Sequence, residues 1–336
     1  MTAGRWLLAG GMTAIASGAI PLQAQQSLNA EVDVSAGAST ENVRAGSMQA
    51  RVFGASASDW RFVAEVSMAG VDGQLSDAFN GAYPYDGQLR LIEAYGEKMF
   101  RPRQYLLGIR AGRYRTPFGI SNRSDHAYTG FVRPPLIRYG KSFALSNTFL
   151  EGGADLIAGT PQLFVETSLG VPQDEGTLRR RQGLDATIRV QGYYRSLIVG
   201  ASRMHSGRDR SLASFAKGRS VFNGIDARWM ARGVQLRGEW LVGRPFDGVT
   251  TTGGYADLLV HHRQLGPVTL VARAERLDYV AVLSQFSLYL HRFTGGARIR
   301  LLQNLSTQIN VSHQPTGLAA GRRTVLDAGI TYSLRR

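Results

Sequence analysis

The chain has 336 residues, 40 of them glycine, and a formal charge of +14 from 39 Lys and Arg against 25 Asp and Glu. The positive charge is almost all arginine, because lysine occurs only at Lys98, Lys141 and Lys217; cysteine is absent, which excludes a disulfide framework and a thiolate metal site and fits a chain that crosses an oxidising compartment. The charges are spread segment by segment rather than gathered on one helix or patch, so nucleic acid is not an expected partner.

Residues 1–24 read as an export signal. Arg5 supplies a positive start, Trp6 to Ile20 form an Ala/Gly-rich apolar run, and Leu22-Gln23-Ala24 ends on the small residue that a signal peptidase accepts. The alternative is an uncleaved anchor; against it, the run is short for a span of about 20 apolar residues and contains Thr13, Ser17 and several glycines. No later stretch approaches that length, so 25–336 is expected to be a single domain.

From about Asn29 the chain alternates apolar and polar residues in short segments separated by Gly, Pro, Asn, Asp and Ser, the period of a strand with one face in an apolar medium and one in water. The segments are 29–38, 43–55, 58–69, 88–99, 103–114, 149–159, 162–171, 183–192, 194–204, 221–231, 233–243, 253–263, 267–278, 287–300, 303–313 and 323–335. Sixteen segments of roughly ten residues predict an all-β fold, a transmembrane antiparallel β-barrel, with fourteen to eighteen strands left open by boundary error.

The two faces differ chemically. In 233–243, Val234, Leu236, Trp240 and Val242 oppose Gln235, Arg237 and Glu239; in 303–313, Leu305, Ile309 and Val311 oppose Ser306, Gln308, Asn310 and Ser312. Leu184, Ile188 and Val190 likewise oppose Asp185, Thr187, Arg189 and Gln191, and Tyr105, Leu107 and Ile109 oppose Arg110. A soluble sandwich also alternates, but its packed core could not hold so polar an inward set. Trp60, Tyr95, Tyr105, Tyr193, Trp240, Phe293 and Tyr332 are candidates for aromatic girdles at the membrane surfaces.

Short links such as Gly266-Pro267 and Leu301 to Asn304 suit turns at one end, whereas 70–87, 115–148, 205–220 and 244–252 suit longer loops at the other. The segment 115–148 is far longer than ordinary connections and is therefore expected to be functional.

The run from Gly112 to Gly119, with Pro117, Phe118 and Gly119 as a Pro-Phe-Gly turn, resembles the strand end and turn of phosphate-selective porins and related general porins. Glu151-Gly152-Gly153-Ala154-Asp155, the stretch Ala274 to Asp278 and the Asn304-Leu305 turn are similar as well. The resemblance implies a long loop that folds into the lumen and narrows it, and a homotrimer. The C-terminus resembles a barrel-assembly signal through Asp327, Gly329, Tyr332 and Leu334, although it ends on Leu334, Arg335 and Arg336 rather than an aromatic residue.

The functional expectation is an outer-membrane porin that passes small hydrophilic solutes and prefers anions, phosphate or others. Pore-lining or constriction candidates are Arg110, Arg115, Arg123, Arg133, Arg138, Lys141, Arg189, Arg228, Arg237, Arg273, Glu151 and Asp155, because arginine and lysine rings in a low-dielectric channel concentrate anions. An alternative is that these arginines contact lipopolysaccharide phosphates or pair with lumen carboxylates. Expected partners are outer-membrane lipid and lipopolysaccharide, small anionic solutes, the barrel-assembly machinery and further copies of the chain.

Two other classes were weighed. A lipid-hydrolysing barrel needs a Ser nucleophile within reach of a His base, for which His205-Ser206-Gly207 is the one suggestion; an adhesive or structural barrel needs a plug or specialised loops. No catalytic residue, metal or cofactor is expected, since the adjacent His261 and His262 would point to opposite faces of a strand.

Overall fold

The computed structural model describes residues 25–56, 58–72, 87–120, 130–138, 150–173, 181–210, 217–245, 247–281, 286–315 and 323–335. The expected export signal, 1–24, lies outside them. The strands are β1 (Gln25–Ser39), β2 (Arg44–Ser56), β3 (Trp60–Asp72), β4 (Arg90–Phe100), β5 (Leu106–Arg115), β6 (Leu150–Gly159), β7 (Leu163–Pro172) and β8 (Asp185–Tyr194). They continue with β9 (Leu197–Arg210), β10 (Lys217–Ala231), β11 (Val234–Arg244), β12 (Val249–Val260), β13 (Val268–Ala281), β14 (Phe286–Leu302), β15 (Leu305–Gln314) and β16 (Arg323–Arg335). The pair Arg181–Gln182 prolongs β8 past a break at Gly183 and adds to the edge of β9 at Arg208 and Asp209.

Each strand pairs antiparallel with the next, and β1 pairs with β16 from Glu31 opposite Arg335 to Ser39 opposite Asp327, so the sheet closes on itself. The sixteen-stranded antiparallel barrel is the one that the alternation predicts. Closure leaves no strand edge, which is what a sheet needs where no water can satisfy free backbone groups.

The faces also follow the predicted parity. Leu107, Leu156, Ile188, Ile225, Leu236, Ile309 and Leu326 are exposed on the outside, while Glu97, Arg110, Arg189, Arg237, Asp257, Arg273 and Arg292 are buried on the inside. A chain that buries charge and exposes leucine is built for an apolar medium around the wall.

At the rim that carries Gln25, Arg335 and the short turns, Trp60, Phe100, Tyr105, Tyr193, Tyr194, Trp229 and Tyr332 are exposed in a girdle. Tyr95 does not join it. Register places Tyr95 opposite Val63 and Gly112, with the inward parity of Glu97, and its ring lies 4.9 Å from the Arg110 guanidinium.

Two expected loops are shorter than the sequence implies. β9 runs on to Arg210 and β10 starts at Lys217, while β12 starts at Val249, so these connections shrink to 211–216 and 245–248. Beyond the apolar belt both faces of a strand meet water, and the ladder continues without the period-two signal. The connections 73–89 and 116–149 are long, as expected.

Ile309 is 46% exposed in the middle of β15, on the outer face. An Ile309→Arg substitution should cost about 2–4 kcal/mol if hydrocarbon surrounds that position. Urea unfolding in lipid vesicles measures it, and an unchanged midpoint would mean that this face does not meet lipid.

Candidate functional site

The site is the lumen, and the segment after β5 occupies part of it. The β5 end is shaped by Gly112, whose φ of 132° and closeness to the β4 backbone leave no room for a side chain. Thr116, Pro117, Phe118, Gly119 and Ile120 follow, all buried. The Phe118 amide donates back to the Thr116 carbonyl at 2.8 Å, tightening the chain around Pro117.

The Phe118 ring meets Phe222 of β10 edge-on, with centroids 6.4 Å apart. Gly119 has a φ of 56°, and a Cβ there would collide with the Glu239 carboxylate. The amides of Gly119 and Ile120 donate to Ser202 Oγ at 3.1 Å and Glu239 Oε2 at 3.2 Å. The Pro-Phe-Gly motif therefore has a physical role: it turns the chain off β5 and plants it against β9, β10 and β11.

The second described piece, 130–138, runs along the wall from β15 to β11. The Val132 amide donates to Asn310 Oδ1 at 2.6 Å, and the Leu136 amide to Glu275 Oε1 at 2.8 Å. Leu136 packs with Val249, Leu277, Tyr279, Leu288 and Leu290, and Ile137 joins Phe118 among Met204, Phe222, Leu241 and Tyr255. The hydrophobic core of this barrel thus lies between loop and wall. The resemblance implies a loop in the lumen, but a polar inner face across most strands does not show where that loop sits. The signal lies in Leu277, Tyr279 and Ala281 of β13 and Leu288 and Leu290 of β14, apolar residues at inward positions.

Charge ladders hold the wall and the loop together. Asp257 lies between two arginines, accepting from Arg237 Nε at 2.8 Å and from Arg273 Nε at 2.6 Å. Arg273 also donates to the Arg133 carbonyl at 3.1 Å, and its guanidinium stacks 3.9 Å from the Phe131 ring centroid. Arg292 pairs with Glu275 at 2.6 Å and donates to the Pro134 carbonyl. Arg189 binds Ser202 and Asp226, at 3.0 and 2.9 Å. Arg110 reaches Glu97, Asp155 and Glu166 at 2.8, 2.9 and 3.0 Å.

Of the sequence candidates, Arg110, Arg189, Arg237, Arg273 and Asp155 thus sit inward in buried pairs. Glu151 is buried on the same face and accepts from the Tyr114 hydroxyl at 3.4 Å. Arg228 is half-buried in register with Arg237. Arg115, at the end of β5, pairs with Glu65 and lies 3.7 Å from Glu93. Arg133 is buried against Asp327 of β16 at 2.7 Å and Glu41 of the β1–β2 turn at 3.1 Å.

Arg123, Lys141 and the Arg138 side chain lie outside the described residues. At the C-terminus Asp327 faces inward and Gly329 lies beside Val132, while Tyr332 and Leu334 are exposed on the outside. Glu97 and Asp257, which alternation alone does not single out, share the inward face with Tyr95 and with Tyr255 and Leu259.

His205 and Ser206 are neighbours within β9, and Ser206 is buried on the inner side beyond Met204. Adjacent strand residues point to opposite faces, so the two side chains do not converge. Both His261 and His262 lie in the β12–β13 turn, where His262 accepts from the Gln264 amide. Among the described residues no group of three or more His, Asp or Glu side chains could hold a metal ion.

No protein-family model matches this sequence, and no curated protein matches it either. Solved structures do. The chain is similar to Salmonella typhi OmpF in complex with daunomycin, with a TM-score of 0.63 and 12% identity over 92% of this chain and 97% of that one. It is similar to the Vibrio cholerae outer membrane protein OmpT lacking loop L8, with a TM-score of 0.62 and 10% identity over 92% and 98%. Pseudomonas putida OprB gives a TM-score of 0.62 and 9% identity over 91% and 93%. Identities of this size show the fold alone, a closed antiparallel barrel shared with these proteins.

A buried and an exposed ion pair should respond differently to loss of a carboxylate. Asp257→Asn leaves both Arg237 and Arg273 short of a carboxylate and should cost about 3–5 kcal/mol, read from urea unfolding in vesicles. Asp59→Asn, which removes a rim pair to Arg101 with side chains about half exposed, should cost no more than about 1 kcal/mol.

Burial pushes the Glu41 carboxyl up, but hydrogen bonds and charge from Arg323 and Arg133 outweigh it and hold the group below the usual glutamate range. Its contribution is therefore complete above that range and lost as the pH falls through the lowered value. The gap in thermal midpoint between the wild type and Glu41→Gln should be constant at neutral pH and close in acid; a gap independent of pH would refute the pairing.

Proposed function

We propose that this protein is an outer-membrane porin, a water-filled channel for the passive diffusion of small hydrophilic solutes, exported with removal of residues 1–24. The observation that carries the reading is the seating of residues 118–120 and 130–137 inside a closed barrel with an apolar exterior. The described residues of this segment lie along the inner wall from β9 round to β16 and the β1–β2 turn, which supports a loop that narrows the lumen. The divergence of His205 and Ser206 weakens the lipid-hydrolysing alternative.

The channel prefers anions. Solvent-facing arginines on the remaining wall include Arg51, 38% exposed, Arg61, 47% exposed, and Arg335, 63% exposed; the carboxylates beside them are more covered, Glu65 and Glu97 almost fully and Glu31, opposite Arg51, to 24% exposure. Cationic heads that reach water further than the anions beside them favour anion entry. Arg133, whose guanidinium is engaged with Asp327 and Glu41, contributes by anchoring the loop. The functional unit is a homotrimer packed through the weakly apolar outer face that includes Ala30, Val32, Val34 and Ala36, in line with the trimer form described for Vibrio cholerae OmpT.

Single-channel recording of the refolded mature protein under a salt gradient tests this. Discrete steps with an anion-favouring reversal potential are expected, and Arg51→Gln with Arg61→Gln should move that potential toward zero. A folded barrel that never conducts would refute the channel, and a potential unmoved by the double variant would refute the assignment of selectivity. Phosphate competing against chloride then decides between a general and a phosphate-selective pore.

A further inference from the structure

The rim that carries Gln25 and Arg335 has seven connections between strands, and their residues include Arg101, Arg103, Arg195, Arg232 and Arg263, all exposed. Among the described residues of these connections the one acidic side chain is Asp59, 3.9 Å from Arg101. Arg103, Arg195, Arg232 and Arg263 have no acidic partner among the described residues.

Backbone conformation makes the arginines harder to explain as filler. Arg103, Arg195 and Arg232 have φ values of 54°, 50° and 46°. That left-handed region is unfavourable for a long side chain, and Gly, Asn or Asp is its usual occupant. In the two-residue Arg232-Gly233 turn both φ values are positive, a geometry for which Asn-Gly is the favoured pair. A turn alone would be made more stably by another residue, so what arginine adds at these positions is charge.

The surroundings identify what the charge meets. Trp60, Phe100, Tyr105, Tyr193, Tyr194 and Trp229 form the exposed girdle at the same rim. Lys98, on the outer face of β4, donates to the Ser58 carbonyl, and its ammonium lies 5.5 Å from the ring centroids of both Trp60 and Phe100. The Arg195 guanidinium lies 5.3 Å from the Tyr194 ring. Cations beside a girdle that sits at headgroup level stand where lipid phosphates stand.

We propose that Lys98, Arg103, Arg195, Arg232 and Arg263 form a basic collar that binds anionic phospholipid headgroups of the adjoining leaflet. Zwitterionic lipids carry their own compensating cation, so the collar discriminates in favour of net-negative headgroups. The inference rests on the membrane reading above and not on conduction.

The test uses the refolded mature protein in vesicles, with its tryptophans as probes, since Trp60 and Trp229 lie in the girdle. Quenching by brominated phosphatidylglycerol is compared with quenching by brominated phosphatidylcholine for the wild type and for two triple variants at Arg103, Arg195 and Arg232, one to Asn and one to Lys. The wild type should favour phosphatidylglycerol. The Asn variant should lose at least about fivefold of that preference, while its unfolding midpoint holds or rises because Asn suits a positive φ.

The Lys variant should keep the preference. Equal quenching of the wild type by both lipids, or a preference that survives in the Asn variant, overturns the proposal. Binding of soluble polyglutamate without any lipid preference would do so too, by assigning the collar to an acidic polymer. Conductance of the same proteins separates the two readings: steps without lipid preference sink the collar alone, and preference without steps sinks the channel alone.

Discussion

A strand in hydrocarbon must find every backbone hydrogen-bond partner in its neighbours, and the antiparallel seam between β1 and β16 is where this chain meets that demand. The rest of the structure follows from that closure. Sixteen tilted strands enclose more space than their own inward side chains can fill, so the interior is either wet or occupied by something else. Here polar ladders line the wall, and described residues after β5 return to cover the apolar part of it.

The interior charges are structural before they are functional. Arg110, Arg189, Arg237, Arg273 and Arg292 are matched to Glu97, Asp155, Glu166, Asp226, Asp257 and Glu275 at hydrogen-bond distance. A pair of that kind keeps two desolvated ions tolerable and fixes register, because slipping one strand by a residue would move every member to the outer face. The large positive excess of the composition therefore overstates the field inside the lumen. Heads that reach water on β2 and β3 include those of Arg51 and Arg61.

The barrel was legible because its signal is repeated sixteen times and each repeat is local. Leu236 against Arg237 and Ile309 against Gln308 can be assigned to faces from parity alone. The seat of the loop was not legible, because it depends on contacts across the lumen between residues far apart in sequence, such as Phe118 with Phe222 and Leu136 with Leu277. Tyr95 shows the same limit in miniature: aromatic residues near strand ends serve at the membrane surface or over a buried guanidinium, and register decides which. The Pro-Phe-Gly motif was visible as a resemblance, but the need for glycine at Gly119 becomes clear only beside Glu239.

Arg133 sits across the seam itself. Its acceptors are Ser39 and Glu41, at the end of the first strand and the turn beyond it, and Asp327 in the last strand. Those groups come from opposite ends of the chain and become neighbours only when the final strand has joined the first. The full anchorage of the internal segment therefore does not exist in any partly built barrel. The contacts of Phe118, Leu136 and Ile137 need only the strands from β9 to β14, so Arg133 is the clasp that the finished cylinder alone can fasten.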